Sequence, residues 1–160
     1  MVSKIVEHDR TPVQAWTKSV LLVAATMTAS FAQQSEELAP SLPAGYTAAR
    51  IYRGWLGDAL AHDTLTNRVN EGQLARQLHG PRLGGHLGQQ RSLLTGADVA
   101  ANFTNRPRLP FVISMNCPNG MFNQVWTKRA SAEALLRSSN GGASAVWALR
   151  ASRPRRHRRS

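Results

Sequence analysis

The chain has 160 residues, 42% of them hydrophobic, which is enough for one domain with a core of its own. Its formal charge of +11 resembles that of a nucleic-acid binder, but six of the 20 basic residues lie in 150–160 with no acid, leaving 14 against 9 acids elsewhere. The single cysteine excludes an internal disulfide framework and leaves the compartment open, and no apolar stretch is long enough to span a membrane.

In chain order, Val2 to His8 reads as a helix, followed by a turn at Thr11-Pro12 and a strand from Ser19 to Ala25. Val20 to Ala25 is apolar throughout, and two readings compete for it. With Lys18 before it and Ser30-Phe31-Ala32 after it, residues 18–32 have the outline of a weak secretory signal. The preceding region is long and carries Glu7 and Asp9, which favours a core strand. A short helix is expected from Gln34 to Leu42, ended by Pro43 and Gly45, and Tyr46 to Tyr52 alternates as a strand does. Leu56, Leu60, Leu65 and Val69 recur at near-helical spacing, predicting an amphipathic helix from Leu56 to Asn70. Strands alternating with helices are the pattern of a layered α/β domain, here residues 1–149, followed by a basic tail, 150–160. Asn102-Phe103-Thr104 matches a glycosylation acceptor pattern, of a kind that chance also produces.

Leu109 to Gly120 is an apolar run that ends in the only cysteine. Phe111, Val112 and Ile113 suit a strand buried on both faces, and Pro118-Asn119-Gly120 forces a turn. Cys117 is thereby set at the carboxyl end of a core strand, the edge where open α/β sheets bind ligands, so it is a candidate nucleophile. The competing reading is a free cysteine packed as a small hydrophobe. His8, His62 and His157, in the first helix, at a helix end and in the tail, lack the cysteine or carboxylate spacing of a metal site, and no cofactor is expected. Asp98 and Asp63 are candidates to orient an imidazole but read rather as a helix cap or surface residues, and Trp126 and Trp147, candidates to line a substrate pocket, read rather as core.

Three segments in order carry a resemblance: Arg91 to Ala100 (RSLLTGADVA), Leu109 to Phe122 (LPFVISMNCPNGMF), and Ala132 to Ala148, with its AEALLR helix and GGASAVWA strand. Together they resemble the gingipain-like family of cysteine peptidases, and a weaker match runs back through Arg50-Ile51-Tyr52-Arg53-Gly54 to Lys4-Ile5-Val6. The resemblance implies a three-layer α/β/α fold related to caspases, here incomplete at its ends, and a secreted or cell-surface location. It also implies a polypeptide substrate cut by a Cys/His pair, with Cys117 as nucleophile and backbone N–H groups holding the oxyanion.

The family pattern fails between Gln73 and Gln90, where a buried strand and a His-Gly-Ser loop are expected. Arg76 and Gln77 interrupt that strand, predicting its loss and a gap beside Cys117 with marginal stability. His79, followed by Gly80, is the candidate acid–base residue, Gly80 the candidate oxyanion donor, and His86 the second candidate histidine. The genetic code permits residues 76–88, read one base later, to spell Val-Asn-Cys-Thr-Ala-His-Gly-Ser-Val-Asp-Ile-Trp-Gly, and the same shift restores a family-like loop after Ala148. Two stretches, 76–88 and 149–160, are therefore expected to be translated out of frame, which the coding DNA of a relative would test. The expected function is a cysteine-type endopeptidase, possible inactivity arising from the disrupted block. The alternatives are an inert relic of a peptidase domain or a basic protein binding nucleic acid or acidic surfaces through Arg150 to Arg159, although no nucleic-acid recognition motif is present.

Overall fold

The computed structural model describes residues 2–73, 75–79, 93–115 and 131–148, with the side chains of 75–79 and 131 outside that description. Its centre is a five-stranded sheet of β1 (Ser19–Ala24), β2 (Thr47–Tyr52), β3 (Ala75–His79), β4 (Phe111–Ser114) and β5 (Ala145–Ala148). The spatial order is β2-β1-β3-β4-β5, and every neighbouring pair is parallel. Parallel strands need crossovers, and these are α2 (Ala29–Leu38), α3 (Arg53–Leu56) with α4 (Asp58–Glu71), α5 (Gly96–Asn102) and α6 (Ser131–Arg137), after an N-terminal α1 (Val2–Asp9).

The two-residue period of β1 divides the core between two layers. Leu21 and Val23 pack with Ala61, Leu65 and Val69 of α4, Val99 of α5 and Leu135 of α6. Val20, Leu22 and Ala24 pack with Ala32 of α2 and with Tyr52. This is the three-layer α/β/α arrangement expected, and residues 20–24 form a strand paired on both sides.

Several boundaries differ from expectation for identifiable reasons. Helix α2 begins at Ala29 rather than Gln34 because nothing in the side chains announces it: Thr28 holds the N-cap position in extended backbone without a side-chain cap bond. The helix expected over Leu56 to Asn70 is two helices parted at Gly57, and its buried stripe is Ala61, Leu65 and Val69, with Leu60 exposed. Gly72 ends α4 at a φ of 95°, a conformation that favours glycine, and an added Cβ would lie 2.9 Å from the Arg108 Cβ.

The expected loss of the strand near Leu74 is not what the fold shows. β3 is present, centrally placed, registered with β1 (Val20 opposite Ala75, Ala24 opposite His79) and with β4 (Ala75 opposite Phe111, Leu78 opposite Ser114). Main-chain ladders on both edges hold a strand whatever its side chains prefer, so Arg76 and Gln77 do not break it. Position 76 is registered between Leu21 and Val112, both fully buried. Arg76→Val is accordingly expected to raise stability by about 1–3 kcal/mol, read as a higher midpoint in urea unfolding; an unchanged or lower midpoint would show that the arginine suits its position.

β4 also departs from the reading of a strand buried on both faces. Val112 and Ser114 are buried, but Phe111 is 40% exposed, because α2 packs its layer over β1 and β2. Trp147, expected in the core, stands beside Ile113 in register and is half exposed.

Candidate active site at the carboxyl edge of the sheet

Because all five strands are parallel, their last residues, Ala24, Tyr52, His79, Ser114 and Ala148, lie along one edge. The chain moves outward from β1 to β2 and then returns to the other side of β1 for β3, so a topological switch falls between β1 and β3. Adjacent strands are about 4.8 Å apart. His79 ends β3, Ser114 ends β4 next to it, and Cys117 follows Ser114 by three residues in the sequence. The backbone thus brings the carrier strands of the two candidate residues side by side. Gly80, His86, Cys117, Trp126 and His157 lie outside the described residues, as does the side chain of His79 and the turn at Pro118 to Gly120. Of the two stretches read as out of frame, only residues 76–79 fall within the description, as backbone.

The carboxylates weighed as partners for an imidazole have other work. Thr95 and Asp98 form a reciprocal capping box at the start of α5: the Asp98 Oδ2 accepts from the Thr95 N–H at 2.7 Å and hydroxyl at 2.6 Å, while the Asp98 N–H donates to Thr95 Oγ1 at 3.2 Å. Burial pushes the Asp98 carboxyl up, but the Thr95 hydrogen bonds and nearby His62 outweigh it and hold it below the ordinary range. Asp63 is exposed and sits 3.3 Å from His62 Nδ1. His62 itself lies in the second turn of α4, and His8 is at the opposite edge, with Nδ1 2.9 Å from the Pro107 carbonyl. Among the described residues no group of three His, Cys, Asp or Glu could hold a metal ion, and no helix is long and apolar enough to cross a membrane.

The edge carries a frame that sequence reading missed. Arg53, only 5% exposed, donates from Nε to Asp58 Oδ1 at 2.6 Å and from Nη1 to the Ala25 carbonyl at 3.3 Å, fastening the segment after β1 to the start of α4. The Tyr52 hydroxyl donates to Glu36 Oε1 at 2.8 Å, and Arg50 Nε donates to both Glu36 oxygens at 2.7 and 3.0 Å. The Arg50 hydrogen bond, then that of Tyr52, holds the Glu36 carboxyl below its usual range; burial, with the Glu36 carboxylate, pushes the Tyr52 phenol up. The available signal was an arginine directly after a strand with an acid five residues on, a pattern too common to be read unaided.

A parallel five-stranded sheet between two helical layers, in the strand order β2-β1-β3-β4-β5, defines the class: a caspase-like α/β domain. The model of Peptidase family C25 matches residues 1–156, and the chain belongs to that family. The crystal structure of the Arg-specific cysteine proteinase gingipain R (RGPB) superimposes with a TM-score of 0.67 at 20% identity, over 91% of this chain and 35% of that one. This chain therefore spans about a third of the length of that protein. No curated protein matches the sequence.

Proposed function

We propose that this domain is a cysteine-type peptidase in which Cys117 attacks a peptide carbonyl and His79 manages the proton. The supporting observation is the adjacency of β3 and β4, parallel and registered Leu78 to Ser114, so that the strand ended by His79 and the strand that precedes Cys117 in the sequence finish side by side. A free thiol titrates near 8.5, so only a few per cent is thiolate at neutral pH, and a neighbouring imidazole raises that share. Attack forms the Cys117 Sγ–carbon bond; the carbonyl electron pair moves to oxygen, held by backbone N–H groups near Cys117 and Gly80. On collapse the C–N bond breaks, and the imidazolium delivers its proton to the leaving amine. Water then hydrolyses the thioester, releasing the acid and the free thiol.

A thiol-reactive peptidyl probe tests this. It is expected to label the intact chain covalently and to leave Cys117→Ala unlabelled, while a reagent without the peptide portion reacts much more slowly. Equal reaction of the peptidyl and the bare reagent would mean a thiol with no peptide site around it, which is what the relic alternative requires.

A further inference from the structure

Beside the proposed catalytic pair, the same edge holds a cavity of about 190 Å³ at the ends of β1 and β2, with Met27, Thr28, Tyr52 and Trp55 among its lining residues and Ala29 and Ala32 of α2 behind them. None of the described residues that line it is charged. Tyr52 is buried and Trp55 stands against it edge to face, centroids 4.7 Å apart at 80°, yet Trp55 is 70% and Met27 55% exposed. Large apolar groups left open around a cavity are the usual make-up of a side-chain subsite. The site is also built to keep its shape. Gly54 passes so close to the β1–α2 segment that a Cβ would lie 3.0 Å from the Met27 carbonyl oxygen, and Arg53 ties the neighbouring Ala25 carbonyl to the start of α4. Glu36, which accepts the Tyr52 hydroxyl, is itself held by Arg50 at 2.7 Å and is not among the lining residues.

We propose that this cavity is a substrate subsite for one uncharged, apolar side chain of the polypeptide, a reading that rests on the peptidase function proposed above. β1 is two strand spacings from β4, roughly 10 Å, and the cavity extends toward β2, so an extended substrate reaches it about three or four residues from the cleaved bond. Charged side chains are disfavoured there because no counter-charge among the described residues lines the walls to offset desolvation. The aromatic pair supplies the contact area that a leucine or phenylalanine side chain buries.

The test uses the full 160-residue chain carrying Cys117→Ala, followed by nuclear magnetic resonance with N-acetyl-leucinamide and, separately, the corresponding aspartate derivative. The leucine probe is expected to shift the Trp55 indole and Met27 methyl signals saturably and the aspartate probe to leave them in place, with Trp55→Ala weakening the Met27 response about tenfold or more. Trp55 is mostly exposed, so its removal is compatible with folding, which the unshifted remainder of the spectrum checks. Cleavage of a mixed peptide library by the unmutated chain forms the second arm and should show an uncharged residue enriched at the third or fourth position, a preference that Trp55→Ala flattens. Equal responses to the two probes, or cleavage without any such preference, would overturn the subsite. Selective shifts without cleavage would leave the cavity as an apolar side-chain site and remove the peptidase reading instead.

Discussion

Lys4→Met is expected to lower the unfolding free energy by about 2–4 kcal/mol at neutral pH. The Lys4 side chain is 2% exposed, and its ammonium donates to three carbonyls: Leu135 at 3.0 Å, Ser138 at 3.1 Å and Gly141 at 2.9 Å. These carbonyls belong to the last turn of α6 and the turn that follows, where main-chain oxygens have no helical partner and the helix dipole favours a positive charge. Methionine keeps the shape of the stem but takes this donor from the Ser138 and Gly141 carbonyls, the Leu135 carbonyl keeping the Ala143 N–H at 3.0 Å, and leaving a buried acceptor unmade costs more than the hydrogen bond contributes. Against a total stability of about 5–15 kcal/mol typical of domains, that is a large share. Burial, with the Arg106 guanidinium adding to it, pulls the Lys4 ammonium from 10.5 to about 8. The folded state therefore releases this proton at lower pH than the unfolded state does. Between about pH 8 and 10.5 the unfolded chain binds more protons, so the contribution of Lys4 rises with pH across that window and is constant below it. Urea unfolding of the two proteins at about pH 7 and about pH 9.5 should show the gap widening at the higher pH. A gap that closes would mean that the three carbonyls need the charged form more than burial opposes it.

His79→Ala is expected to slow peptide cleavage by about 10²- to 10⁴-fold, the usual effect of losing a positioned acid–base group. The effect should fall mainly on kcat, because the imidazole handles protons rather than holding substrate, and His86→Ala should leave the rate near that of the unmutated chain. The ground for choosing His79 is topological: it ends β3, the strand lying directly against β4. Should His86→Ala abolish cleavage while His79→Ala does not, the acid–base role belongs to the later histidine and the loop after β3 must return it to the edge.

The legible parts of this fold were those in which side-chain pattern and backbone role agree. Residues 20–24 are apolar without a break because β1 is covered by helices on both faces, so sequence alone located the inner strand. Asp98 read as a helix cap or a surface residue, and the structure makes it a cap whose partner, Thr95, lies three residues before it, where a hydroxyl and a carboxylate satisfy each other locally. β3 was not legible because its place is set by ladders on both sides, which no property of Arg76 or Gln77 reports. The Lys4 clamp joins residues 131 to 137 positions apart, and the uncharged cavity joins the end of β1 to the residues after β2. Contacts at that separation leave no local signature. Of the candidate site, the edge and the neighbouring strands follow from parallel pairing; in the sequence only the glycine after His79 separates the two histidines, and the position of His79 at the end of β3 adds the topological ground.

The most direct measurement of the central claim uses the fact that Cys117 is the only cysteine in the chain. Its rate of alkylation by iodoacetamide, followed against pH by mass spectrometry, reports the thiolate fraction without interference from another thiol. If an imidazole shares the sheet edge with it, the midpoint should fall well below the ordinary thiol value of about 8.5 and move back toward it in His79→Ala. A midpoint at or above about 8.5, unchanged by the histidine substitution, would contradict the account.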